Sequence, residues 1–280
     1  MTQQYNWQNM LIGRYRTIRL LKSGSMVEVW LAEDIYLHRQ MALKLLPVTA
    51  TTDRASQDAF QREAQTTAQL EHPNILPIHD FGVQNGPEVG LIYLAMPYIS
   101  GGSLQDRIRS AQGPLPFREA LNYLRQAAQA IDYAHSRQII HGNIRPANML
   151  LQESHLCLIN FGLPTPTVPD ISVQSYMAPD QKAIPASDRY SLAVIAYQLL
   201  TGHLPFTDNS PINILIKHLN EAPPSPRQFN AVLSPQVEQA LLHGLAKPPV
   251  DRPTTCMALV EALGTGRTGI LSARCSYSPF

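Results

Sequence analysis

From His141 to Leu151 the chain reads HGNIRPANMLL: a histidine, a cation at Arg145, an amide at Asn148 and an apolar run behind them. Such a loop can orient a hydroxyl group and hold positive charge near an anion. It has no carboxylate. Asn143 can accept a hydrogen bond from a hydroxyl, but an amide is hardly basic and takes no proton at neutral pH. Upstream, Lys44 in MALK and Glu63 in FQREA offer a cation and a carboxylate. Downstream, Asn160 opens the triplet NFG with another amide.

The elements that must position these residues change character along the chain. RYRTIRLL and VEVWLAED alternate apolar and polar residues, and QMALKLLPV has an apolar run around Lys44, so the first third reads as strands. DRASQDAFQREAQTTAQLEH has helical composition and ends at an HPN turn, after which NILPIHDFGV and VGLIYLAMPYI are again strand-like. SGGSL then breaks the pattern. In FREALNYLRQAAQAIDYAH the residues Phe117, Leu121, Leu124, Ala128, Ile131 and His135 recur every three or four positions, the core side of an amphipathic helix. SDRYSLAVIAYQLLTG places Ser187 as an N-cap and Gly202 past the end, and SPQVEQALLHGLAK opens with a serine cap and a proline. NMLLQ and LCLIN read as two short strands separated by ESH.

These patterns predict an α+β chain of two lobes. A strand-rich lobe with one helix spans 11–96, a hinge covers 97–101, and a helical lobe spans 102–264. An N-terminal extension (1–10) and a C-terminal tail (265–280) flank them. A ligand is expected in the cleft between the lobes.

With 280 residues, 44% of them apolar, the chain is ample for a buried core, and 15% charged residues leave its surface lightly charged. A net charge of +1 makes no electrostatic case for nucleic acid or an anionic membrane. Cys157, Cys256 and Cys275 are scattered, with no zinc or disulfide spacing, and read as free thiols in a reducing compartment. The polar start MTQQYNWQNM does not resemble a signal peptide, and the apolar run around Leu192–Leu200 is too short to span a bilayer. A cytoplasmic protein with no membrane segment and no nucleic-acid partner is the expectation.

Taken in order, MALK, FQREA, HGNIRPAN, NFG, APD, SDRYSLAVIAYQLLTGHLPF and LAKPPVDRP resemble the motif series of protein kinases, especially the eukaryotic-like Ser/Thr kinases of bacteria, over about residues 11 to 264. The resemblance implies a bilobal protein-kinase-like fold, with a small antiparallel-sheet lobe and a larger helical one. It also implies roles. Lys44 would hold the α- and β-phosphates of ATP, and Glu63 would hold Lys44. Val29, Ala42 and Leu150 match positions that sandwich adenine, with Met96 as gatekeeper and Pro97, Tyr98 and Ile99 as hinge. Asp188 would tie down the catalytic-loop backbone, and Asp180 would pair with Arg252.

The chemical positions depart from that pattern. Of the three loop glycines only Gly24 remains, the others being Lys22 and Val27, so backbone amides lose their close approach to phosphate. Asn143 replaces the catalytic aspartate, and Gly142 replaces the arginine that pairs with a phosphorylated loop. Asn160 replaces the aspartate that binds Mg²⁺; a unit charge at about 4 Å is worth roughly 4 kcal/mol at an effective dielectric of 20. Asn148 is retained as the lesser metal ligand, and Arg145 keeps a cation where the family has lysine. Ser172 and Val173 occupy the Gly-Thr positions of the substrate-meeting loop, and Thr165, Thr167, Ser172 and Ser175 are candidate sites for phosphorylation in trans.

Three functions follow from this set. One is a pseudokinase, a binding, scaffolding or allosteric module for a protein partner such as an active kinase. Another is a slow ATP-dependent Ser/Thr kinase, or another phosphoryl or nucleotidyl transferase, with Asp170 or Glu153 standing in for the lost carboxylate. The third is a nucleotide sensor that binds ATP without Mg²⁺, no metal site being expected. Of these the pseudokinase is the expectation, because several chemical positions are lost together while the scaffold positions persist, and the weakly active kinase or transferase is the alternative.

Overall fold

Alternation over the first hundred residues closes into one antiparallel sheet, with strand order β1-β2-β3-β4-β6-β5. Its strands are β1 (Leu11–Ile12), β2 (Tyr15–Ser23), β3 (Glu28–Asp34), β4 (Arg39–Val48), β5 (Asp80–Gln84) and β6 (Gly90–Pro97), and α1 (Arg54–Thr67) packs across it. The structure, a computed structural model, describes residues 6–24, 27–48, 54–85, 90–161, 170–180 and 182–266. Thr165, Thr167, Cys275 and the tail from 267 onward lie outside them.

Side chains alternate across a strand, so the sheet has two faces. One buries Tyr15, Trp30, Met41, Leu43, Leu45, Tyr93 and Ala95. The other packs Leu46, Ile92 and Leu94 against Phe60 and Ala64 of α1. Trp7 joins the first cluster and is buried. Asn9 N donates to Thr17 O at 3.0 Å and Thr17 N to Met10 O at 2.9 Å. Residues 6–10, expected to form part of an extension, therefore belong to the packing of this lobe, because one large aromatic ring reaches its core.

The second lobe is helical: α2 (Leu104–Ala111), α3 (Phe117–Ser136), the hairpin β7 (Met149–Gln152) and β8 (His155–Leu158), α4 (Ile171–Gln174), α5 (Pro185–Thr201), α6 (Pro211–Asn220), α7 (Pro235–Gly244) and α8 (Cys256–Thr265). α5 is buried on every side, from Ala186 and Ser187 to Thr201, which marks it as the helix on which the others pack. Arg252 fixes the far end of this lobe. Its guanidinium donates to Asp180 at 2.6 Å, to the carbonyls of Ala186, Ala246 and Lys247 at 2.8 Å, and lies over the Tyr190 ring.

Four sequence expectations shift. The core side of α3 is wider than the expected stripe: Ala120, Tyr123, Ala127, Ala130 and Ala134 are buried, whereas Phe117, Leu121 and His135 are only half-buried. Small alanines let α5 and α8 approach on two sides, which a single stripe does not foresee. Ser187 is not the N-cap of α5. That helix starts at Pro185, whose fixed φ suits the first helical position, and the Ser187 hydroxyl instead donates to Asp180 and to Lys182 O. NILPIHDFGV is a strand only from Asp80, and His155 belongs to β8 rather than to the turn before it.

Backbone contacts tie the lobes together. Leu158 N donates to Asn74 O at 2.8 Å, and Leu76 N donates to Leu158 O at 2.9 Å. At Gly101 a β-carbon would stand 2.2 Å from Leu151 O, so the SGGS link passes β7 only because no side chain is there.

His218 of α6 is buried between Tyr190 and Phe206, and Tyr190 Oη lies 2.8 Å from its Nδ1. Burial first, then the nearby Lys247 charge, lowers its pKa to about 4. The unfolded chain, with an ordinary histidine near 6.5, takes up this proton first as pH falls. Stability is therefore complete above about pH 6.5 and is lost on acidification toward 4, by about 3 kcal/mol for this one group. Denaturant unfolding at stepwise pH should show that loss, and His218→Gln should flatten it by about one proton.

Candidate active-site cleft

The floor of the cleft is the loop from His141 to Asn148, and Asp188 of α5 sets its shape. The Asp188 carboxylate is 1% exposed and accepts from His141 N and Gly142 N, both at 2.9 Å, and from His135 Nε2 at 2.8 Å. His141 is not a base. Its Nε2 donates to Ile159 O at 3.0 Å, its Nδ1 accepts from Asn143 N at 3.2 Å, and burial lowers its pKa. The ring packs against Phe161 at a tilt of 52°, with centroids 4.6 Å apart. Gly142 has φ 72° and open space around its missing β-carbon. An arginine there would fit but would hold a left-handed backbone, so glycine relieves strain as it removes charge.

A chain of hydrogen bonds crosses the cleft from this floor to the sheet. Lys44 Nζ donates to both oxygens of Glu63, at 2.7 and 2.5 Å, and to Asn160 Oδ1 at 3.2 Å. Asn160 Nδ2 donates to Asn148 Oδ1 at 2.9 Å, and Asn148 Nδ2 donates to Asn143 O at 2.8 Å. The two ends fix how both amides point, since Lys44 can only donate and a carbonyl can only accept. Asn160 has φ 68°, a left-handed conformation that asparagine tolerates better than most residues.

The remaining residues named from sequence line this space or brace it. Val29 pairs with Lys44, and Ala42 pairs with both Leu31 and Met96, across the β3, β4 and β6 ladder. Val29, Met96 and Leu150 are half-buried, and Ala42 is buried. After Pro97 the chain leaves the sheet at Tyr98 and Ile99. At the loop, Gly24 N donates to Val27 O at 2.9 Å, and Val27 packs on the cluster of Phe60, Ile92 and Leu94 with Met96. Its side chain thus ties the chain entering β3 to the lobe. Arg145 donates to the Ser172 hydroxyl at 2.9 Å, joining the loop to α4, a short helix not foreseen from sequence. Asp170 caps α4 through Ser172 N, and Glu153 sits at the exposed β7–β8 turn, so neither is brought to Asn143. Asp180 and Asp188 brace the floor from below, through Arg252 and the loop backbone.

Sequence reasoning missed Ser103 and Asp106, which form a reciprocal capping box at the start of α2. Their spacing, serine followed three residues later by aspartate before a helical run, was the available signal. It also missed His135 as a partner of Asp188, because a histidine on an apolar stripe gives no sign of its bond.

The protein kinase domain family matches residues 15–263. The chain belongs to the protein kinase family. It is 36% identical over 256 residues to the serine/threonine-protein kinase PrkC of Bacillus subtilis (strain 168), covering 87% of this chain and 39% of PrkC. It is 34% identical over 260 residues to PknB of Mycobacterium tuberculosis (strain ATCC 25618 / H37Rv), covering 88% of this chain and 41% of PknB. The chain thus spans about two-fifths of the length of these curated relatives. The crystal structure of the Mycobacterium tuberculosis PknI kinase domain shares the fold with a TM-score of 0.73 at 29% identity, covering 92% of this chain and 98% of that one. Among the described residues no helix is long and apolar enough to cross a membrane.

The kinase family implies ATP and Mg²⁺, and the two fare differently here. The apolar positions Val29, Ala42, Met96 and Leu150 with the Lys44–Glu63 pair fit a nucleotide. The metal position does not fit Mg²⁺. A hard dication needs carboxylate and neutral oxygen ligands, whereas Asn160 aims an N–H at the one oxygen Asn148 would supply. A hydrogen bond stands where two ligands would share a cation.

Asn160→Asp turns that donor into an acceptor facing Asn148 Oδ1. The variant is expected to gain a Mg²⁺- or Mn²⁺-dependent rise in Tm of a few degrees, as one recovered buried hydrogen-bonding group of about 1–2 kcal/mol would give. The native chain should show no such rise in the absence of nucleotide, and a metal-dependent shift in it would contradict this reading of the amides.

Proposed function

We propose that this kinase-family chain is a pseudokinase, a binding and allosteric module that does not transfer phosphate. The observation that carries the reading is the Lys44–Asn160–Asn148–Asn143 chain. Phosphoryl transfer rests on positioning and charge neutralisation, with a carboxylate to orient the nucleophile and metal ions to neutralise developing charge. Here Asn143 offers a side-chain amide that takes no proton, its backbone oxygen is already taken by Asn148, and Asn160 offers an N–H. The scaffold around the cleft is kept: the Asp188 clamp, the Arg252–Asp180 bridge and the short helix α4. The partner fitting this reading is a protein, an active kinase being the first candidate. Trans-phosphorylation at Ser172, exposed and bonded to Arg145, is one way such a kinase would act on it.

A slow Ser/Thr kinase is the second reading. The Lys44–Glu63 ion pair favours it, as does the name serine/threonine-protein kinase borne by PrkC and PknB.

Transfer from radiolabelled ATP to a generic protein substrate, and to the chain itself, separates the two. Background incorporation is expected with Mg²⁺ and with Mn²⁺. Incorporation that Lys44→Met abolishes would overturn the pseudokinase. Asn143→Asp combined with Asn160→Asp is expected to remain far below ordinary kinase turnover, because Lys22 and Val27 still occupy the phosphate loop.

A further inference from the structure

Lys22 stands at the first glycine position of the phosphate loop, and the sheet register says where it points. In antiparallel strands, residues directly opposite one another project from the same face. Lys22 pairs with Val29 just past a bulge between Leu20 and Lys22 that resets the register of β2, and Val29 pairs with Lys44. Lys22, Val29 and Lys44 therefore form one row on the face from which Lys44 reaches Asn160. Two strand spacings put the Lys22 and Lys44 backbones about 10 Å apart, within reach of a shared anion for two lysine side chains. Arg145 adds a third cation from the opposite lobe. Its Nε is buried with no hydrogen-bond partner among the described residues.

From this row we infer that Lys22 takes over the metal's share of charge neutralisation, making the cleft a site for the metal-free polyphosphate of a nucleoside di- or triphosphate. The inference rests on the reading above that Asn160 and Asn148 bind no Mg²⁺, and it deepens that reading by naming the ligand's form. Lys22 lies mainly among cations, with the Asp106 carboxylate as the one opposing charge acting on it. Its pKa is lowered, first by partial desolvation and then by the charges of Arg145 and Lys44. Asp106 offsets part of this, but its carboxylate is committed to Ser103 at 2.6 Å. Glu63 is committed to Lys44. What remains is an excess of positive charge whose repulsion a polyphosphate relieves. The Val27 side chain packs on the cluster of Phe60 and Ile92, and Lys22 brings a side-chain ammonium to a position where the family pattern has none.

Isothermal titration of the whole chain with ATP, in EDTA and in excess Mg²⁺, tests the assignment. Native protein is expected to bind ATP in EDTA and to bind it at least five-fold more weakly once Mg²⁺ has neutralised the phosphates. Lys22→Gly restores the family residue and should still weaken binding in EDTA ten-fold or more, while removing the antagonism by Mg²⁺. Lys22→Arg should retain both properties, and circular dichroism checks that each variant folds. Equal or tighter binding by Lys22→Gly overturns the inference and leaves the pseudokinase untouched. No binding of ATP by the native chain does the same. Tighter native binding with Mg²⁺, accompanied by phosphate transfer, overturns both.

Discussion

The buried carboxylate of Asp188 is the constraint on which the cleft depends. It takes two backbone N–H groups of the 141–142 turn and the imidazole of His135, so one residue of the central helix fixes the start of the loop and the helix beside it. A carboxylate at 1% exposure survives only when its oxygens are fully used. Because the clamp acts on backbone, it does not depend on what side chains stand at 142 and 143. That indifference lets the arginine and aspartate of the family pattern become Gly142 and Asn143 while the turn keeps its shape.

The same separation of shape from chemistry recurs above the floor. In a kinase the two lobes communicate through charges held by a metal. Here the connection from Glu63 through Lys44, Asn160 and Asn148 to the Asn143 carbonyl is made of direct hydrogen bonds. Each donor has an acceptor and each amide is held at both ends, so the network is satisfied without an ion. Such a chain gives the cleft a closed polar interior, and with Asn143 and Asn160 both amides the cleft has two carboxylates fewer than the family pattern. Lys22, Lys44 and Arg145 consequently face less opposing charge than the family pattern supplies, and the electrostatics of the cleft turn toward anions.

Much of this architecture was legible in sequence because it rests on spacing. Strand alternation, the lysine and glutamate separated by a helix, and the order of the later motifs specified two lobes and a cleft. The family motifs also named Asp180, Asp188 and Arg252 as structural partners. Less legible were features decided by tertiary contact. Trp7 sits in a polar stretch whose composition says extension, yet burying its ring outweighs the local pattern. Ser187 resembles a cap, but Pro185 starts the helix earlier and the hydroxyl finds Asp180 instead. The alanine face of α3 packs two neighbours, which periodicity alone reads as one stripe.

The site divides along the same line. Sequence alone says which residues lost their charge, because Asn143 and Asn160 are visible as amides. It does not say where the amides point. An asparagine at a metal position can offer either its oxygen or its nitrogen, and only the fixed partners at each end, Lys44 and the Asn143 carbonyl, decide between them. Substituting aspartate by asparagine therefore does more than delete a charge. It supplies a donor that an acid lacks, and that donor takes the lone pair of Asn148 that a cation would need. The amide-to-amide bond and the self-contained polar network are one feature, and the Asp188 clamp and the Lys44–Glu63 pair on either side of it stand without contribution from the side chain at 160 beyond a neutral oxygen.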